Sequence, residues 1–476
     1  MKETAKYYIN VLISLIFVFC FRFIPAPAPI TEQGMMVIGI FIGVIWGLAT
    51  CDVVWPALLG MVCLGFVGEN TVTGVFASAF GSDTWLLVVF IVAFIAVITN
   101  AGISDSIAKW ICGRKFAKGR PYMVMFLILT AAYVVSAFCS VTPAIFICWE
   151  ISYVVCRQFG YSIKDKYARL LVMGVIVAAE MGQSAFPFKA IAVSAMGILA
   201  KATGETANFA AFCSLAIPIT YGITLLFVAV SKYIIRPDVS AIEKSEYVYS
   251  ADTKLSTYQK QVVVLLVVFF ILMFVPSTFT SLKFSAICKR IGNTAICALL
   301  LGLSLLLRKK DGTPFATFGD TIKAVPWSTM MLVAFNIVMS ANLTAEGTGV
   351  KAAVTTLCEP LMNSGFGSAI FIIIMIVAAA VLTNFLANMI VASILIPIVA
   401  TCASAIGVSG PMMATVISVM VGLALFLPCC CPQAALLHGN DEWITAKDIY
   451  KWSPIIVFAG IVLAIVLTFT IGMLVF

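Results

Sequence analysis

Long apolar runs separated by short polar breaks dominate the chain. They lie near 8–24, 34–50, 53–67, 84–100, 122–156, 168–200, 209–231, 261–276, 286–307, 327–343, 366–401, 410–437 and 453–475. A bilayer core takes roughly 20 helical residues, so most of these runs predict one crossing each. Alternating strand-length segments are missing from the pattern, which points to a helical bundle rather than a β-barrel, the other way of satisfying backbone in lipid. Three runs, 122–156, 168–200 and 366–401, exceed one simple crossing and must fold back or break.

The segment 232–260, which contains RPDVSAIEKSEYVYSADTK, is the only long polar stretch and divides the chain into two halves. The halves carry matching segments in the same order. DTWLLVVFIVAFIAVITNAGI from Asp83 matches VPWSTMMLVAFNIVMSANLTAEG from Val325 in hydropathy. SAFCSVTPAIFICWEI from Ser136 matches TNFLANMIVASILIPI from Thr383, and GQSAFPFKAIAVSAM from Gly182 matches FLPCCCPQAALLHGN from Phe426. Matching copies enter from opposite sides, which predicts an inverted repeat.

The expected organisation is an N-terminal helix and connection (1–33), a first repeat (34–231), a cytoplasmic linker (232–260) and a second repeat (261–476). The first repeat holds scaffold helices 34–67, a hairpin 122–156 and a broken helix 168–200. The second holds scaffold helices 261–307, a hairpin 366–401 and a broken helix 410–437. The expected protein is an all-α membrane protein with about 11 transmembrane helices and two re-entrant hairpins; two full crossings per long span would keep the same sidedness, so the charge rule does not separate the two.

The breaks are the chemically informative places. Pro428 and Pro432 bracket three consecutive cysteines, ending one half-helix and starting another. Non-helical backbone in a membrane is tolerated where it lines a cavity or is buried in protein, and breaks at matching places in two repeats point to a transport site. The amides at a new half-helix N-terminus favour an anion; the carbonyls at the opposite end favour a cation.

Composition narrows the class. The 476 residues are 62% hydrophobic and 11% charged, with mean hydropathy +1.11, which no soluble domain sustains. The net charge of +8 follows the loops. With the N-terminus cytoplasmic, twenty-two Lys and Arg fall inside and six outside. That predicts a multi-pass protein of the plasma (inner) membrane, and the basic balance needs no nucleic acid to explain it.

The 15 cysteines are scattered through apolar segments, so neither a disulfide framework nor a soft-metal site is expected. Lys2 and Lys6 precede an apolar run as in a signal peptide, but Pro27 next to Ala26 disfavours cleavage, and a retained first helix is expected. No His-Glu zinc pattern, nucleophile elbow or phosphate-binding Gly-Lys-Ser/Thr loop occurs, which argues against an enzyme or an ATP-driven pump.

From about Gly34 to its end the chain resembles the divalent anion:sodium symporter family, the dicarboxylate, citrate and sulfate carriers of the ion transporter superfamily. GMMVIGIFIGVIWGLATCDVVWPALL is similar to the family's opening helices. AVPWSTMMLVAFNIVMSANL is similar to its proline-tryptophan helix, and LPCCCPQAALLHGNDEWITAKDI to its proline-asparagine-alanine break. The resemblance implies an elevator-type carrier of a small anion in the lipid bilayer. It also implies sodium (Na+) as coupling ion and a homodimer joined through the scaffold helices.

The family carries Ser-Asn-Thr at each hairpin tip, whereas this chain has Ser140-Val141-Thr142 and Ala387-Asn388-Met389. By resemblance, a first sodium is held by Ser136, Ser140 and backbone at Gly182, and a second by Thr383, Asn388 and backbone at Cys429. Ser140, Thr142 and Asn388 then meet the substrate. At the first break the family's asparagine is replaced by Lys189, matched to Gln433 in the second repeat, and both are candidate substrate ligands.

A lysine inside a span costs roughly 2.5–3.5 kcal/mol unless it faces a cavity or a partner. Lys189 is therefore expected to replace the first sodium's charge and to attract the anion. Sodium dependence then weakens, and a proton or an exchanged anion takes over part of the coupling. The lost polar groups point away from succinate and citrate, towards a monocarboxylate or sulfonate. Glu150 and Glu180 are the acidic residues of the spans and the candidate proton carriers, or partners of Lys189. His438 is expected to cap its helix. An anion channel is the competing function, separable from a carrier by concentrative uptake.

Overall fold

A computed structural model describes residues 2–103, 119–205, 208–243, 255–279, 281–309, 312–350, 352–353, 356, 367–428 and 430–476. The regular elements among them are helical. The chain runs through α1 (Lys2–Cys20), α2 (Glu32–Thr50), α3 (Val54–Leu64), α4 (Val72–Phe80) and α5 (Asp83–Asn100). The pair α6 (Pro121–Phe138) and α7 (Val141–Gln158) follows, then α8 (Lys166–Gln183), α9 (Ala190–Thr203) and α10 (Phe209–Val230). After the polar segment come α11 (Thr257–Thr278), α12 (Lys283–Ile291), α13 (Asn293–Leu306) and α14 (Trp327–Thr344). A second pair, α15 (Gly367–Leu382) and α16 (Asn388–Cys402), precedes α17 (Gly410–Met420), α18 (Pro432–His438) and α19 (Ala446–Leu467).

Seven helices among the described residues are long and apolar enough to cross a bilayer, with α5, α6 and α14 among them. Local chemistry sets where they start. Thr31, Ser82, Ser409 and Thr445 accept first-turn amides of α2, α5, α17 and α19. Proline stands in the first turn of α6, α17 and α18, where its missing N–H costs nothing.

The two helices expected to be broken, 168–200 and 410–437, are interrupted. α8 stops at Gln183 and α9 starts at Ala190, leaving 184–189 outside helix. α17 stops at Met420 and α18 starts at Pro432, leaving 421–431. The second break is the longer, which shifts the register between the two segments that the sequence matched. The residues that immediately precede the second half-helices are Lys189 and Cys431, not Lys189 and Gln433 as hydropathy matching suggested.

Two large cores organise the packing, beside a small cluster of Ala424, Cys430, Cys431 and Ala434 at the second break. The larger joins α5 to α13 with α15 to α19; the smaller joins α1 to α4 with α14 and Ile390 of α16. In the smaller core Gly39, Gly43 and Gly47 lie at four-residue spacing on α2, and side chains there would run into α1 or Pro56. Their absence lets the α1 and α2 backbones approach, as small residues do in membrane helix pairs. Ser14 Oγ donates to the Gly43 carbonyl at 2.7 Å across that contact. In the larger core α6 packs on both α7 and α8, and α9 packs on α16 and α17 of the second half. The first half's broken helix is thus embedded in the second half's elements.

Candidate functional site

The first site is built where α6 ends against α8. Ser136, in the last turn of α6, donates Oγ to the Ala179 carbonyl of α8 at 2.5 Å. Gly182 lies against the Tyr133 backbone so closely that a Cβ would overlap its carbonyl oxygen. Lys189 turns back from the start of α9 and donates Nζ to the carbonyls of Ser136, at 2.8 Å, and Cys139, at 3.1 Å. These carbonyls belong to the C-terminal end of α6, where the helix collects partial negative charge. The carbonyl of Ser136, a residue the resemblance implied for a sodium ion, thus accepts from an ammonium group.

The second site repeats the device with different chemistry. Thr383, just after α15, shares its hydroxyl between the Val421 carbonyl, at 2.7 Å, and Asn388 Oδ1, at 3.0 Å. Asn388 opens α16 and is buried, 6% exposed. In both halves a hydroxyl at the end of the hairpin's first helix thus holds a carbonyl of the facing broken helix.

Asn384, passed over in the sequence reading, is the most heavily used side chain here. It donates to the Ala380 and Leu423 carbonyls at 2.7 and 3.0 Å and accepts from the Leu425 and Phe426 amides, both at 2.9 Å. Its signal was available: an amide in an apolar run beside a predicted tip must find partners. Cys429, expected to supply backbone to the second cation, lies outside the described residues. Beside it, Cys430 Sγ donates to the Leu427 carbonyl at 2.8 Å.

The two breaks touch. A side chain at Gly422, in the second break, would meet Ser184 Oγ in the first. Glu180 is fully buried in α8; its carboxyl accepts from Gln183 Nε2 at 2.8 Å and faces Cys431 Sγ at 3.7 Å. Lys189 and Glu180 do not pair with each other. Among the described residues the ion pair is Arg169–Asp448, at 2.9 Å. Glu150 is exposed on α7. His438 closes α18, and its Nε2 lies 3.1 Å from the Phe426 carbonyl, tying the middle of the second break to the end of the half-helix that follows it.

A cavity of about 230 Å3 opens beside Lys189. Ser140, Gln183 and Lys189 are its polar lining, and Val92, Ile95, Phe188, Ile191 and Pro326 give most of its apolar wall. Val141 and Ala190, the first residues of α7 and α9, also line it, so two helix N-termini and one ammonium converge there. Of the predicted ligands, Ser140 and Lys189 border this cavity. Thr142 is exposed on the first turn of α7, Asn388 belongs to the second site and Gln433 is buried in α18; none of the three lines it. Gln183 lines it and was not foreseen.

Among the described residues the chain is helical and apolar, and its broken helices touch next to a cavity that Lys189 borders, the arrangement of a membrane transport protein. The sequence profile of the citrate transporter family matches residues 41–422, and the chain belongs to that family. Solved structures agree on the fold. The YdaH transporter of Alcanivorax borkumensis superposes with a TM-score of 0.56 at 12% identity, covering 93% of this chain and 98% of that one. MtrF of Neisseria gonorrhoeae, described within a class of antimetabolite efflux pumps, does so at 0.54 and 12%, covering 98% and 95%. No curated protein matches the sequence significantly.

Proposed function

We propose that the chain is a secondary active carrier that moves a small organic or inorganic anion of the carboxylate or sulfate type by cation-coupled alternating access. The observation that carries this reading is Lys189: its ammonium borders the cavity while bound to the α6 carbonyls. An ammonium has three donors, so one N–H remains for an anion. The two hairpins move with the broken helices as one elevator bundle against a scaffold. That scaffold, 34–67 with 261–307, makes the homodimer contact, and the N-terminus is cytoplasmic in the plasma membrane.

The coupling ion follows from the donor sets. The Ser136 and Cys139 carbonyls already hold the Lys189 ammonium, so the first position does not fit a further cation. Thr383 Oγ1, the Val421 carbonyl and Asn388 Oδ1 form a compact set of oxygens suited to a hard cation, and sodium would be held there. Sodium at that place supplies positive charge beside the second helix break. A second reading, proton coupling or anion exchange, is favoured by the buried Glu180 and by the fixed charge of Lys189. A channel needs neither.

The test uses purified full-length protein. A panel of mono-, di- and tricarboxylates, sulfate and sulfonates is screened for thermal stabilisation, and each stabilising anion is offered to proteoliposomes under an imposed sodium or proton gradient. Uphill uptake driven by either gradient is the expected result. Stabilisation without uphill movement or exchange replaces the carrier with a channel, and no stabilisation by any anion removes the reading.

A further inference from the structure

We propose that the cavity beside Lys189 selects a monoanion with an apolar body, its charged head on the Lys189 ammonium and its body against Ile95, Phe188 and Ile191. The proposal rests on the anion-carrier reading and names its substrate class.

The charge balance of the cavity is the first argument. Lys189 is the one charged residue of the lining, and it offers a single remaining N–H. Ser140 and Gln183 are the other polar groups, and Gln183 already donates from Nε2 to Glu180. Behind Gln183 stands a carboxyl group, not a second cation. A head group with one negative charge is matched by this set. A second or third carboxylate on the same molecule would lose its water against Val92, Ile95, Phe188 and Pro326 with no cation to replace it.

The second half does not make up the shortfall. Asn384 is committed to Ala380, Leu423, Leu425 and Phe426, and Thr383 donates its one hydroxyl proton to Val421 and Asn388. Thr383 and Asn384 thus turn their polar groups inward on the second break. The apolar wall, by contrast, is positioned for hydrocarbon. Phe188 stacks on Phe186, with centroids 5.2 Å apart, and meets Phe269 edge-on at 5.2 Å. It is held by its aromatic neighbours and is not available to swing aside for a polar group. Ile95 and Ile191 complete a surface on which a ring or branched chain excludes water.

The head group can be a carboxylate or a sulfonate, and the probes separate these sources from the polyanions. Thermal stabilisation of the full-length protein is titrated with benzoate, benzenesulfonate, acetate, succinate and citrate near neutral pH. Benzoate or benzenesulfonate is expected to bind about tenfold or more tighter than citrate. Lys189→Gln should abolish that binding. Ile95→Ser should weaken benzoate by about tenfold while leaving acetate, which has almost no apolar body, unchanged. Unliganded melting and monodispersity are recorded for both variants. If Ile95→Ser does not fold, Ile191→Val replaces it, with a smaller loss expected in the same direction. Citrate or succinate binding as tightly as benzoate overturns the inference and leaves the anion carrier standing. So does benzoate binding that survives Lys189→Gln. Failure of every anion, polyanions included, removes the carrier reading itself.

Discussion

Trp85 and Trp327 hold matched positions in the two halves of the chain, and their ring centroids lie 6.4 Å apart at 47°. Trp85 Nε1 also donates at 3.1 Å to the carbonyl of Met330, one turn beyond Trp327. The two halves of the chain therefore meet at these two tryptophans. The breaks meet as well, Ser184 against Gly422 and Glu180 against Cys431. The two helix breaks therefore lie where the halves face each other, enclosed by protein as lipid requires.

Lys189→Ala removes the donor from two carbonyls at the end of α6. Leaving such groups unsatisfied should cost about 1–3 kcal/mol. Sodium can then enter beside Ser136, so sodium chloride should raise the variant's melting temperature above its value in choline chloride by more than it does for wild type. Equal responses of the two proteins would show that Lys189 does not hold a cation position.

Gly182→Ala should destabilise by about 1–3 kcal/mol through overpacking. Gly422→Ala should cost less, because its obstacle is the Ser184 hydroxyl, which can rotate, while that of Gly182 is the Tyr133 backbone carbonyl. Denaturation midpoints in detergent give the order, and the reverse order contradicts the packing described.

Asn384→Leu should abolish transport at normal expression. It strands the Leu425 and Phe426 amides and the Leu423 carbonyl, each worth about 1–3 kcal/mol when buried without a partner. Asn384→Asp keeps the acceptor and should retain more of the folded protein. Uptake by proteoliposomes alongside a melting curve separates loss of function from loss of fold.

Arg169 and Asp448 join α8 to α19, with side chains 18% and 14% exposed, and the guanidinium lies 5.9 Å from the Trp452 ring. Asp448→Ala should cost about 1–3 kcal/mol, more than an exposed pair, because a mostly buried guanidinium loses its counter-charge. The exchange Arg169→Asp with Asp448→Arg should recover part of the loss in thermal unfolding. No recovery would mean that the contact with Trp452, and not the charge pair, holds the two helices.

Hydropathy alone determined the membrane class, the helical architecture and the need for interruption near Pro187 and Pro428. These properties are set by the solvent: lipid demands helices of a given length and leaves irregular backbone few places to go. Lys189 stood out for the same reason, as a charge no apolar run carries without use. What the sequence could not determine was partnership. That Lys189 binds the Ser136 and Cys139 carbonyls and ignores Glu180 depends on how α9 departs from the break. That Asn384 pins the second break, that Gln183 reaches the cavity and that Thr142 does not are likewise matters of helix rotation and of where each helix ends. The second break's extra length makes Cys431 the residue that precedes its half-helix as Lys189 precedes α9, where matching by hydropathy had put Gln433. Apolar periodicity records which segments leave water; only packing between segments distant in the chain decides which polar atoms meet once they are there.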